Sequence, residues 1–104
     1  MVSALSSLCA NIMVFMFYVY MLKSSKTRFL YIGVTGDLKR RFAAHNSERA
    51  SREFTQRHKP WKLVYYEAYL NEQDARDREA ALKKHGASLG QLRKRVKRSL
   101  ESAE

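Results

Sequence analysis

An arginine and a histidine share the apolar stripe of one short helix. Leu38, Arg41, Phe42 and His45 follow the spacing i, i+3, i+4, i+7, so all four fall on one face. Either Arg41 and His45 snorkel from the edge of that stripe, or they belong to a site that needs a cation and a titrating group there. Glu79 is a second misfit. It lies four residues after Ala75 and three before Leu82, on the apolar side of another helix. A carboxylate on that side must meet a cation such as Arg41 or hold a metal at a cleft. Two tyrosines supply a third feature: with a four-residue turn between the first two strands, Tyr20 stands directly across from Tyr31. The pair is a cross-strand aromatic contact or the floor of a site. Gly33, two residues beyond Tyr31, leaves either open space for a ligand or a bulge.

The elements that must position these residues are legible from pattern. Residues 15–23 are aromatic and β-branched and predict a strand; residues 24–27 form a polar turn, and residues 28–34 predict the returning strand. Asp37 is the expected N-cap of a helix running to about Asn46. A polar, basic stretch over residues 47–59 ends at Pro60, and residues 61–69 predict a third strand. Asn71 is the expected cap of a helix to about His85, and after Gly86 a basic helix runs from near Ser88 to about Leu100. The order is ββαβαα: an α+β fold with a small three-stranded antiparallel sheet flanked by helices. Glu67, on the third strand, reads as a partner for a surface Lys or Arg.

Composition bounds what such a fold can be. The chain has 104 residues, 20 Lys+Arg against 10 Asp+Glu and a formal net charge of +10, with 45% hydrophobic residues. That is one small, folded, strongly cationic domain. A single cysteine, Cys9, excludes an internal disulfide framework and any Cys-based zinc site, so a reducing, cytoplasmic setting is expected. No charge occurs before Lys23. The apolar run at residues 8–22 falls short of the ~20 residues of a membrane span and lacks the basic start of a signal peptide. Residues 1–14 are therefore expected to be an N-terminal apolar extension, disposable or with a packing or membrane-surface role. Residues 15–104 are the domain, with no membrane and no obligate protein partner expected.

Tyr18-Val19-Tyr20, then Tyr31-Ile32-Gly33, then Asp37-Leu38-Lys39-Arg40-Arg41 and His45-Asn46 stand in an order that resembles the GIY-YIG nuclease family. The likeness continues through Phe54-Thr55, Pro60, Lys62-Leu63-Val64-Tyr65-Tyr66-Glu67 and Arg78-Glu79-Ala80-Ala81-Leu82-Lys83-Lys84. It is strongest to short, single-domain bacterial members described as predicted endonucleases. Tyr18 stands where the first motif has its glycine, Val34 where some relatives carry lysine, and no asparagine follows Glu79. The resemblance implies phosphodiester hydrolysis with one Mg²⁺ or Mn²⁺. Tyr20 and Tyr31 would be the two motif tyrosines, Arg41 the catalytic arginine, His45 the helix histidine and Glu79 the metal-binding glutamate. It makes Tyr20 or Tyr31 the base for the attacking water and the other a positioning group, with His45 orienting the base; of the two, we take Tyr20 as the base.

Charge points to the substrate. Eight basic residues lie from Lys39 to Lys62, among them Lys39, Arg40, Arg57, Lys59 and Lys62, against Glu48 and Glu53. Arg93, Lys94, Arg95, Lys97 and Arg98 crowd the last helix. Both clusters are expected beside the cleft, where they would bind a phosphate backbone through counterion release, DNA in preference to RNA. Phe54, His58 and Trp61 are candidates for stacking on an unpaired base, with a core position the alternative for Trp61. With no appended recognition module, the expected activity is structure-selective or weakly sequence-specific. The rival is a non-catalytic nucleic-acid-binding module.

Overall fold

Strict alternation in the first strand, with Val19 and Met21 on one side and Tyr20 and Leu22 on the other, requires cover on both faces of the sheet. The computed structural model supplies it. It describes residues 15–47, 53–84 and 86–103. The expected extension at residues 1–14 lies outside them, as do residues 48–52 of the basic stretch and the expected helix end at His85. The elements are β1 (Phe17–Ser24), β2 (Leu30–Thr35), α1 (Leu38–Asn46), α2 (Glu53–His58), β3 (Trp61–Tyr69), α3 (Glu72–Lys83), α4 (Ala87–Arg95) and α5 (Lys97–Ser102). The sheet is antiparallel in the order β2-β1-β3, so β1 is central.

One face of the sheet carries Val19, Met21 and Ile32 against Ala75 and Leu82 of α3, Leu89 and Leu92 of α4, and Val96. The other gathers Tyr20, Leu22 and Trp61 with Tyr31, Leu63, and Leu38 and Phe42 of α1. A bulge in the β1–β3 ladder lets both cores draw on β3. Met21 pairs with Tyr65 but Leu22 with Leu63, which inserts Val64 and reverses the alternation. Trp61 and Leu63 therefore face α1, while Tyr65, Glu67 and Tyr69 share the face of Val19 and Met21.

Both expected N-caps form: the Asp37 carboxylate accepts from the Arg40 N–H at 3.1 Å and Asn71 Oδ1 from the Gln73 N–H at 2.8 Å. Two helical details differ from expectation. The basic stretch contains the helix α2, and the final helix is broken at Val96, whose backbone leaves the helical region (φ −105°, ψ 24°) and whose side chain is buried. No helix among the described residues is long and apolar enough to cross a membrane.

Glu67 locks α3 to the sheet. Its carboxylate accepts from the Tyr65 hydroxyl (2.6 Å), the Tyr69 hydroxyl (2.7 Å) and Arg78 Nε of α3 (2.6 Å). Burial raises its pKa, but the hydrogen bonds from Tyr65, Tyr69 and Arg78 outweigh it and leave the group below the usual carboxylate range. A depressed folded-state pKa gives stability that is complete above the unfolded value of about 4.3 and is lost as pH falls through the folded one. Acid titration of the melting temperature should accordingly show a smaller drop for Glu67→Gln than for wild type, and parallel curves would remove Glu67 from the acid response.

Candidate active site

The hairpin register sets the two tyrosines. Tyr20 pairs with Gly33 and Tyr31 with Leu22, so the expected direct Tyr20–Tyr31 opposition is corrected by two residues. The cause is Ser24. Buried as the last residue of β1, it accepts the Lys26 and Thr27 N–H groups on its hydroxyl and donates that hydroxyl to the His58 carbonyl at 2.6 Å. The strand thus extends through Ser24, whose N–H donates to the Phe29 carbonyl, and the turn moves to residues 25–28. A shift of two preserves side-chain direction, so the tyrosines still share a face, with ring centroids 6.2 Å apart. The gap at Gly33 is filled by Tyr20. A Cβ there would stand 2.5 Å from the Tyr20 hydroxyl and 2.7 Å from Cζ, so only glycine lets the phenol lie across β2.

His45 completes a buried pair. Its Nε2 is 2.8 Å from the Tyr20 hydroxyl, and its ring lies 4.6 Å from that of Tyr31 by centroids. With the imidazole neutral and its proton on Nδ1, the phenol donates to Nε2. Tyr20 is 1% and His45 6% exposed, so neither is an edge residue. Arg41, one turn before His45, is the exposed member of the stripe. Burial pushes the Tyr20 pKa up to about 12; a hydrogen bond from Arg41 opposes the rise, and the charges of Tyr31 and Glu79 add to it.

A neighbouring side chain holds this arrangement and was not singled out in the sequence. Asn46 accepts the Trp61 N–H on Oδ1 and donates Nδ2 to the Trp61 carbonyl at 3.0 Å, joining the end of α1 to the start of β3 as another strand would. Its place in the His45-Asn46 motif was the sign the sequence offered, with no role attached to it. Trp61 in turn donates Nε1–H to the Thr55 carbonyl of α2 at 2.9 Å.

Glu79 approaches from the helix layer on the opposite face. Only one-fifth exposed, it pairs with Lys83 at 3.0 Å rather than with Arg41, and its charge is felt at the Tyr20 phenol. Among the described residues no three His, Cys, Asp or Glu side chains gather into a metal-binding group. A lone carboxylate suits Mg²⁺ or Mn²⁺, which retain several waters and are bound by one or two carboxylates together with substrate phosphates.

A family profile described as the GIY-YIG catalytic domain matches residues 16–95, spanning Tyr20, Tyr31, Arg41, His45 and Glu79. The chain belongs to the GIY-YIG family. Among its relatives, UPF0213 protein CPE1444 of Clostridium perfringens is 42% identical over 67 residues, covering 64% of this chain and 70% of that protein. UPF0213 protein SpyM50708 of Streptococcus pyogenes is 40% identical over 68 residues, with 64% and 71% covered. A UPF0213 protein of Streptococcus pneumoniae is 36% identical over 67 residues, with 64% and 66% covered. No solved structure matches the chain. The relatives' names state no activity, so the link to nuclease chemistry comes from the GIY-YIG domain.

The basic residues of this GIY-YIG domain fall in separate places. Lys39 and Arg40 are exposed on the first turn of α1; Arg40 and Arg41 share a cleft of about 440 Å³ with Thr35, Gly36, Asp37 and Ala44. Arg57 is exposed at the end of α2, Lys62 is exposed on β3, and Lys59 is half-buried with Nζ 3.4 Å from the Ser47 carbonyl. Arg93 lines a cleft with Tyr31, whereas Lys94, Arg95 and Lys97 line another, at the α4–α5 break, that holds none of the five candidate residues Tyr20, Tyr31, Arg41, His45 and Glu79. Trp61 and His58 are 2% and 7% exposed, which removes both from base stacking, while Phe54 stays exposed, edge-on to exposed Phe29 at 5.5 Å.

Proposed function

We propose that this GIY-YIG domain is a divalent-metal-dependent endonuclease that hydrolyses phosphodiester bonds in DNA, structure-selectively or with weak sequence preference, in the cytoplasm. The observation that carries the reading is the buried Tyr20–His45 hydrogen bond with Arg41 at its solvent side. A phenol with a pKa of about 12 is not ionised at neutral pH, so Tyr20 cannot wait as a phenolate. It can hand its own proton to His45 Nε2 as it takes one from the attacking water. The imidazole is then the effective base. Arg41 leaves the Tyr20 oxygen for the substrate phosphate and stabilises the charge that builds there. Glu79 would hold Mg²⁺ or Mn²⁺, which supplies charge relief on the phosphate and the leaving oxygen.

Tyr31 is the second reading for the base, favoured by its partial exposure beside a Tyr20 that is almost fully buried. The test of function is a substrate panel of single-stranded, duplex, nicked and branched DNA, and RNA, each with Mg²⁺, Mn²⁺ or chelator. Metal-dependent cutting of DNA, strongest on nicked or branched forms, is the expected result. Binding across the panel without cutting would make the protein the non-catalytic module.

A further inference from the structure

β2 is an edge strand, and along its outer side runs a cleft of about 340 Å³ between the sheet and α4. Three cations from three elements line it: Arg28 from the hairpin turn, Lys83 from the end of α3 and Arg93 from α4, with Tyr31, Phe29 and Leu89 between them. No acidic residue is in the lining. All three cations are exposed. Neither Arg28 nor Arg93 has an ion-pair partner among the described residues, and Lys83 pairs with Glu79 at 3.0 Å. Two lining residues therefore tie the cleft to the candidate active site, Tyr31 by membership and Lys83 through the Glu79 carboxylate.

We propose that this cleft is a second phosphate site, in which Arg28, Lys83 and Arg93 hold the DNA backbone next to the phosphate being cut. The inference rests on the nuclease reading above and gives the substrate a path: from Glu79 and Arg41 along the outer edge of β2, and not over the α4–α5 break where Lys94, Arg95 and Lys97 lie. Convergent cations in a lining that holds no acidic residue attract polyanions, and Lys83, paired with Glu79 just outside it, is the hinge between the two sites. A phosphate in the cleft draws its ammonium away from Glu79 and frees that carboxylate for a cation. Substrate and metal would thereby favour one another.

The test is binding of a short DNA duplex in chelator, where nothing is cut, by fluorescence anisotropy across a salt series. Each phosphate contact contributes about 0.9 to the slope of log affinity against log salt. Arg28→Gln with Arg93→Gln should lower the slope by about 2 and Lys83→Gln by about 1. Lys26→Gln, an exposed cation outside this lining, should leave it unchanged. Melting curves establish that the variants remain folded. Slopes equal to wild type in the cleft variants, or an equal fall in Lys26→Gln, would overturn the site. A wild type that binds and never cuts, with the cleft variants flattened as expected, would sink the nuclease reading and leave the phosphate site standing.

Discussion

Glu79→Gln is expected to abolish metal-dependent cleavage, by about 10²-fold or more, while the protein binds DNA at least as tightly as wild type. The substitution keeps the side-chain volume and helix position but removes a carboxylate whose partner is the Lys83 ammonium and not a hydrogen-bonded tyrosine. It also removes a negative charge that repels phosphate. Glu79 is partly exposed and its ion pair with half-exposed Lys83 is an i,i+4 surface contact, worth at most a few tenths of a kcal/mol, roughly 0.3–0.5. The melting temperature should therefore barely move. Cleavage at the wild-type rate would remove Glu79 from the chemistry, and unfolding would make its role structural.

The second large effect falls on the buried pair. Tyr20→Phe and His45→Ala should each slow cleavage by about 10²–10⁴-fold, and the double variant should be scarcely slower than either alone. That non-additivity is the signature of one proton path, because removing either end of the 2.8 Å hydrogen bond already breaks it. If the imidazole lies on the proton path, the acid-side decline in rate expected of wild type should be missing from the residual activity of His45→Ala. Tyr31→Phe is the control. A loss greater in Tyr31→Phe than in Tyr20→Phe would transfer the base to Tyr31 and leave Tyr20 and His45 as its scaffold.

How much of this was legible depended on whether the cause was local. The stripe Leu38, Arg41, Phe42, His45 obeys the 3.6-residue period, so its helix and its misfit residues were visible in the chain. The caps Asp37 and Asn71 are local too. The third strand, rich in aromatic residues, coincides with β3. The hairpin register was not visible, because Ser24 looks like a turn residue until the His58 carbonyl, far along the chain, takes its hydroxyl. Helix α2 was hidden in a polar sequence and is held from outside, through Trp61 Nε1 on the Thr55 carbonyl and Phe54 against Phe29. The break at Val96 has no Gly or Pro to announce it. Gly33 was noticed for the wrong reason: its missing side chain admits the Tyr20 ring instead of a ligand, a contact that exists only once the register is known. The two faces of β3 likewise could not be assigned while the bulge at Val64 was unseen.

Re-addition of metal offers the most direct measurement. Wild-type protein treated with chelator is mixed in excess with branched or nicked DNA at several pH values, and Mn²⁺ or Mg²⁺ is then restored. Cleaved strands should be absent in chelator, appear on addition of either ion, and form faster as pH rises until the rate levels off. Strands that are cut equally in chelator, or that stay intact after both metals are restored at every pH, would contradict a metal-dependent nuclease acting through Tyr20, His45 and Glu79.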